Sequence, residues 1–337
     1  MKKSTLKNFF DEFCDDKILL HYVDVGAMGG ISLYWKQLLN HCHVIAFEPD
    51  EREFVKLKSD SHITYLPYAL YHSSQKLRFY VSRDGGKSSI YPPNMILLED
   101  FPDVQRYETI QEIEFSSEKV KSLDEALVAS GIKDADFIKI DTQGSELDIL
   151  KGAKASLDLL CGVELEVEFA PLYKGQALFR DVDAFMDEKG FQLMNLRRSW
   201  WKRKKYTGYI GGGQLVFGDA LYFRKIEGLL NALKQQKDPA IRTAKIIKAA
   251  AIAMVYRLPD YAIDLLDQAN AKGWIKPSQF QQLSGLIRRE ASSWGMPGLW
   301  GRPLLAKIFN RCAEMVRPAS HLGFSDADRF IGNTRNL

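Results

Sequence analysis

From Leu20 to about Arg224, short runs of β-branched and aromatic residues alternate with stretches whose apolar residues recur at helical spacing. The apolar runs predict strands at 20–25, 43–48, 62–66, 135–140, 163–169, 191–195 and 215–223. Helical periods between them predict helices at 31–40, 50–58, 122–130, 144–153 and 178–189. This alternation argues for an α/β protein with an open, mostly parallel sheet covered by helices on both faces. Two further runs, LRFYVS (77–82) and EIEFSS (112–117), look like added strands. They bracket DGGKSSIYPPN (84–94), a Gly/Ser/Pro-rich loop too long for a tight turn. Loops of that size tend to carry function or to be disordered.

After Arg224 the pattern changes. Strand runs stop, and Ala, Leu, Ile and Gln recur at helical spacing, broken at Asp238-Pro239, Leu258-Pro259, Gly273 and Lys276-Pro277. Four or five helices and a Gly/Arg-rich tail are expected. The chain thus divides into residues 1–225 and a helical appendage, 226–337. Within the appendage, YRLPDYAIDLLDQANAKGW resembles one helix-turn-helix unit of a solenoid, with no second copy at a fixed period.

Composition narrows the class. The 337 residues are 46% hydrophobic and 26% charged, which excludes collagen-like, low-complexity and disordered chains. The cysteines, Cys14, Cys42, Cys161 and Cys312, stand far apart, so neither a disulfide framework nor a zinc ribbon is expected. The basic start MKKSTLKNFF runs into DEFCDD where a signal peptide needs apolar residues. The most apolar stretch, 249–256, is shorter than the roughly 20 residues of a membrane span. A cytoplasmic protein without a transmembrane segment is expected. The net charge of +3 hides an asymmetry: residues 1–225 carry 30 Lys/Arg against 34 Asp/Glu, a balance of −4, and residues 226–337 carry 16 against 9, a balance of +7. Either the two parts have different partners or they attract each other.

Three segments carry chemistry. In HYVDVGAMGGISLYWKQLL a strand ends at Asp24 and turns through Gly26, Ala27, Met28, Gly29 and Gly30 into a helix. Glycines let a ligand approach the backbone and permit conformations that a Cβ blocks. The spacing is D-x-G-x-x-G-G, without the G-x-G-x-x-G of dinucleotide sites or a P-loop lysine, which fits a ligand lacking phosphate, such as S-adenosylmethionine. The bland alternative is a glycine turn that packs helix on strand. In HVIAFEPDEREF, Glu48 ends the second strand where a carboxylate can bind both ribose hydroxyls, and Pro49 fixes the next turn. In DADFIKIDTQGSELDILKGA, a buried strand ends at Asp141.

Taken with YLPYALYHSSQKLRFYV, VELEVEFAPLYKGQALFRDVDAFMDEKGFQL and GQLVFGDALYFR, these segments resemble the FkbM-type S-adenosylmethionine-dependent methyltransferases, from about Tyr22 to Arg224. The resemblance implies a class I methyltransferase fold, a Rossmann-like seven-stranded sheet whose last strand runs antiparallel. It implies that Asp24, Gly26, Ala27, Gly29 and Asp141 line the methionine end of the cofactor. Glu48 and Pro49 would hold its ribose, and Tyr68 and Ala69 would flank its adenine. Gln143 stands where the family usually has an acid. Ser88, Ser89 and Tyr91 match the family's Ser-Ser-Leu-Tyr stretch and are expected at the acceptor, with Tyr173 and Gln176. So are Trp201, Lys202 and Arg203 of RRSWWKRKK, which otherwise reads as a solvated basic loop.

Methyl transfer to a hydroxyl asks the enzyme to align the acceptor and remove its proton. Asp141 is the first candidate for that role; its alternative is to cap the next helix. Glu164, Glu166 and Glu168 share one face of a buried strand and need partners there, and Glu168 is placed nearest the active site. His72 is the histidine to test as a base. A divalent metal on Asp141 and Glu168 is possible chemistry but not favoured. The YPPN run lies far from the position at which amino methyltransferases carry such a motif, which argues against nucleobase methylation.

These residues point to an O-methyltransferase acting on a sugar hydroxyl of a glycan, nucleotide sugar or lipid-linked saccharide, a carbohydrate acceptor that can bear phosphate. The alternatives are O-methylation of a polyketide or other small metabolite, and a cofactor-binding scaffold or RNA-contacting module. The appendage must bury Ile241, Ile247, Ile252, Leu265 and Leu266, and is expected near the acceptor side or at a homo-oligomer interface. A chain cut after Arg224 is then expected to keep cofactor binding.

Overall fold

Most strand signals survive into the structure with small shifts at their ends, but the run expected at 191–195 extends to Trp201. The computed structural model describes residues 4–14, 19–132, 134–208, 213–293, 300–315 and 324–325. Strands β1 (Leu20–Val25), β2 (Cys42–Phe47) and β3 (Ile63–Leu66) are followed by a two-residue β4 (Ala69–Leu70), β5 (Leu77–Ser82), β6 (Thr109–Phe115) and a two-residue β7 (Val120–Lys121). Then come β8 (Phe137–Ile140), β9 (Gly162–Glu168), β10 (Phe191–Trp201), β11 (Gln214–Arg224) and a short β12 (Phe324–Ser325). The main sheet has the order β12-β10-β11-β9-β8-β1-β2-β3. Neighbours from β3 to β9 are parallel, and β11 runs antiparallel between β9 and β10. That is the seven-stranded class I arrangement, with β12 added at the edge of β10 as an eighth strand.

Side chains alternate across the sheet, and each face has its own cover. Val23, Val25, Ile45, Phe47, Ile138, Ile140, Val163, Leu165 and Val167 point to one face. There they meet three helices from the links between strands. After α1 (Ser4–Phe13), α2 (Leu33–Lys36), α3 (Glu51–Phe54) and α4 (Met95–Leu98), these are α5 (Leu123–Ala129), α6 (Glu146–Lys151) and α7 (Phe179–Glu188). A Ser122/Glu125 capping box starts α5.

The opposite face is where the sequence reading fails. The helices expected at 31–40 and 50–58 shrink to α2 and α3, one turn each; Trp35 of α2 stacks on Tyr22 at 4.2 Å, but α2 is too short to cover the rest of the face. Short helices are marginal unless packing holds them. The face is completed by α1 and by α8 (Ile226–Leu233), α9 (Pro239–Val255), α10 (Pro259–Ala271) and α11 (Pro277–Ser293), which share one apolar core with the sheet. In α9, Ala249, Ala250, Ala251 and Ala253 are fully buried; small side chains let the helix lie close. Tyr256, just past α9, stacks on Phe137 at 4.9 Å, and its hydroxyl donates to Oε2 of Glu164 at 2.9 Å. Lys245 binds Asp134 and Asp136 at 2.7 and 2.8 Å, and Lys248 binds Asp136 at 2.9 Å. These helices therefore form a layer on the sheet, on the face opposite α5, α6 and α7. A fifth helix, α12 (Arg302–Met315), has every residue from Arg302 to Cys312 exposed.

Candidate active site

A cavity of about 290 Å³ opens at the carboxyl ends of β1, β2 and β8 and extends over β9, β10 and β11. Its lining residues all lie between Val25 and Asp219, none in the C-terminal helices. At the β1 end Gly26 has φ +82°, and a Cβ there would sit 1.9 Å from the Asp141 carbonyl oxygen. Only glycine fits that approach. The Gly26 and Ala27 amides both donate to the Phe47 carbonyl, each at 3.0 Å, which locks the turn against β2. At the end of β2, Glu48 is buried, and its Oε1 accepts from the Asp50 amide at 2.9 Å. Asp50 in turn caps α3. Tyr68, Ala69, Leu70, Phe79 and Ile90 make an apolar wall beside it.

The other end is polar and centred on Gln143. This residue has φ +59°, the left-handed region that side chains other than glycine's rarely adopt. All four hydrogen-bonding positions of its amide are used. Nε2 donates to Oδ1 of Asp141 at 3.2 Å and to Oε1 of Glu166 at 2.6 Å. Oε1 accepts from Lys87 Nζ at 3.1 Å and from the Tyr173 hydroxyl at 3.0 Å. Ser89 donates to the Gln143 carbonyl at 2.7 Å, which ties the 84–94 loop to the end of β8. Lys139 holds the other oxygen of Asp141 at 3.2 Å.

Asp141 is not the cap of α6. Ser145 occupies the cap position, and Glu146 satisfies the turn by accepting from Thr142 and Gly144 amides at 2.8 and 3.0 Å. Burial pushes Glu146 up to about 7 despite these bonds. Burial together with the Asp141 charge raises Glu166 well above the usual carboxylate range. Glu168 is raised well above it too, by burial and the nearby Glu146. Burial lifts Asp219 to about 6 against the pull of Arg197, 3.6 Å away. Burial works against the Lys87 ammonium, but Tyr107, Glu166 and Asp141 around it hold its pKa above the ordinary lysine value.

Of the residues singled out in the sequence, Gly26, Glu48, Pro49, Tyr68, Ala69, Ser88 and Asp141 line the cavity. Ala27 and Gly29 shape the turn behind it, and Asp24 is buried in the sheet between Ala46 and Lys139. Ser89, Tyr91, Tyr173 and Gln176 stand behind the lining: Tyr91 donates to Asp148 at 2.5 Å, and Gln176 accepts from the Tyr173 amide. Glu168, placed nearest the site by strand position, is outside the lining, and Glu166 takes its place. His72 is exposed, bonded to Ser73 and tilted against Tyr71 at 4.3 Å, away from the cavity.

The basic stretch is also corrected. Residues 197–201 belong to β10, so alternation sends Arg197 and Ser199 into the cavity. Trp201 packs against Phe101, Tyr107 and Phe217. Arg203 pairs with Asp100 at 2.6 Å, and Lys202 lies outside the cavity. This part of the motif anchors the 95–107 segment. The lining residues missed include Lys87, Arg197, Ser199, Phe217 and Asp219; for Phe217 and Asp219 the period-2 pattern of β11 was the available signal. Among the described residues, no group of three His, Cys, Asp or Glu side chains is set to hold a metal ion.

Residues 24–193 match the family profile described as the methyltransferase FkbM domain. No curated protein matches the chain. Solved structures similar to it include a fibrillarin/Nop5p complex, at 13% identity over 61% of this chain and 73% of that one, with a TM-score of 0.34. Magnesium protoporphyrin IX methyltransferase of Synechocystis PCC 6803, solved with bound SAM, shows 10% identity, 66% and 79% coverage and a TM-score of 0.32. Precorrin-6y C5,15-methyltransferase of Geobacter metallireducens GS-15 shows 9% identity, 66% and 87% coverage and a TM-score of 0.32.

Proposed function

The chain belongs to the FkbM methyltransferase family and is an S-adenosylmethionine-dependent methyltransferase, and on that premise we propose that it methylates a hydroxyl oxygen of a sugar. The residues present suit the cofactor. A glycine cradle that any Cβ would fill stands at Gly26, a buried carboxylate for ribose hydroxyls at Glu48, and an apolar slot for adenine beside Tyr68 and Ala69. When bound, the cofactor supplies a methyl group on a positively charged sulfur.

The acceptor end supports an oxygen nucleophile. The observation that carries this reading is the set of carboxyl groups Asp141, Glu166 and Asp219 lining one end of the cavity with Lys87 and Arg197. Asp141, held by Lys139 and Gln143, is oriented to accept a hydrogen bond from the acceptor hydroxyl. Phe217 offers a flat apolar face for a sugar ring, and Ser199 and Arg197 offer donors for its oxygens. Arg197 also suits a phosphate on a nucleotide sugar or lipid-linked saccharide. A second assignment of the base rests on Asp219: a carboxyl lifted to about 6 is matched to proton removal near neutral pH, whereas both oxygens of Asp141 already accept from Lys139 and Gln143.

The test is transfer of a labelled methyl group to nucleotide sugars, oligosaccharides and polyketide hydroxyls in parallel. Label on a sugar oxygen, reduced about 10²-fold or more by Asp141→Asn with cofactor affinity retained in calorimetry, is expected. Label confined to polyketide hydroxyls or to nitrogen would overturn the acceptor assignment. Cofactor binding without any turnover would favour the scaffold alternative.

A further inference from the structure

Among the described residues, helix α12 leaves a run of large apolar side chains uncovered. Trp300, in the turn before it, is 97% exposed, Leu304 is 64%, Phe309 is 68%, and Leu305 and Ile308 are 40% and 48%. At about 100° per residue, Leu304, Leu305, Ile308, Phe309 and Cys312 fall within an arc of about 140°. The cations border that arc. Lys307 and Arg311 lie along one edge and Arg302 along the other, against one acid in the helix, Glu314. Isolated exposed apolar residues need no explanation, but a contiguous apolar stripe on one helix does.

We propose that α12 is a membrane-surface helix that binds anionic lipid, its apolar arc in the acyl boundary and its lysine and arginine rims at the phosphate level. Charge complementarity selects this occupant. A bilayer surface offers hydrocarbon under the arc and anionic headgroups along both rims at once, which is the chemistry of interfacial helices. A second copy of the helix would bring cationic rim against cationic rim. RNA would satisfy the cations but leave Leu304, Ile308 and Phe309 in water. Trp300 sits at the end of the stripe, where an aromatic ring with a polar N–H suits the interface. With 14 residues the helix is too short to span, since about 20 are needed, so it lies on the surface.

The chain ties this helix to the cavity. Only nine residue steps separate Met315 from Phe324, which pairs in β12 with Trp200 beside the cavity-lining Ser199. Fully extended, those steps reach at most about 32 Å. Docking through α12 would therefore hold the acceptor end of the cavity near the lipid surface. The proposal does not depend on which hydroxyl is methylated.

The experiment is flotation of the full-length protein with phosphatidylcholine vesicles, with and without phosphatidylglycerol, at low and high salt. Binding to the anionic vesicles only, falling steeply with salt, is expected. Ile308→Asp with Phe309→Asp, and separately Arg302→Glu, Lys307→Glu and Arg311→Glu together, should each reduce it at least about tenfold. Both variants should keep the melting temperature and cofactor affinity of the parent, since α12 residues are exposed. Absence of vesicle binding, equal binding to neutral vesicles, or binding untouched by both variants would overturn the proposal. So would a change confined to mass in light scattering, which would assign the stripe to a second copy, or to RNA retention on a filter.

Discussion

The side-chain amide of Gln143 donates to Oε1 of Glu166 across 2.6 Å, joining the turn after β8 to the middle of β9. Through its remaining bonds the same amide reaches Asp141, Lys87 and Tyr173. One residue thus satisfies four polar groups, Tyr173 buried and the others half-buried. Each of those groups would be costly to leave unpartnered.

Gln143→Ala should accordingly lower stability by about 1–3 kcal/mol, the range for a buried polar group left without its partner. Urea denaturation measures this, and an unchanged midpoint would show that the network carries no stability. Turnover should fall with it, because Asp141 and Lys87 both lose a bond that orients them.

Glu48→Ala should weaken S-adenosylmethionine binding by about 1.5–3 kcal/mol, as expected for lost hydrogen bonds to a charged group. Calorimetry should show no NAD binding to either protein. A parent protein that prefers NAD would contradict the placement of the cofactor.

Asp219 gives the pH dependence. Lifted to about 6, it is protonated below that value and ionised above it. If it takes the acceptor proton, turnover rises with pH through about 6, and Asp219→Asn removes that limb of the profile. A limb that persists in Asp219→Asn would return the role to Asp141.

Lys245 and Asp136 set the acid stability. Burial raises the Asp136 carboxyl, but Lys245 and Lys248 outweigh it and hold the pKa below its ordinary value. A depressed folded pKa contributes stability that is present above the unfolded value and lost as pH falls through the folded one. Unfolding midpoints should therefore drop on acidification below the ordinary aspartate range, and less so in the variant Asp136→Asn. Lys245→Met should cost about 3–5 kcal/mol by leaving a buried charge short of a partner.

The same contacts alter the expectation for truncation. A chain ending at Arg224 would expose Tyr22, Phe137 and Glu164 and strand Asp136 without its lysines. We predict an insoluble or unfolded product, checked by circular dichroism and gel filtration. A folded fragment that binds cofactor would restore the picture of two separable units.

Much of this protein is legible along the chain because its determinants are local. Strand periodicity identified the sheet, since alternation is a property of consecutive residues. The glycine turn at Gly26, the carboxylate at Glu48 and Asp141 at the end of β8 were legible because a strand end facing a ligand is a short-range pattern. What tertiary structure alone decided is which distant segments meet. Trp35 of α2 stacks on Tyr22 from nearby in sequence, but the Tyr256 hydroxyl that accepts from its indole comes from more than 200 residues away. Lys87, Arg197 and Asp219 enter one cavity because a loop, β10 and β11 converge there, while His72, close in sequence to the lining Tyr68 and Ala69, turns outward. Proximity of that kind is a property of packing, and no pattern confined to neighbouring residues encodes it.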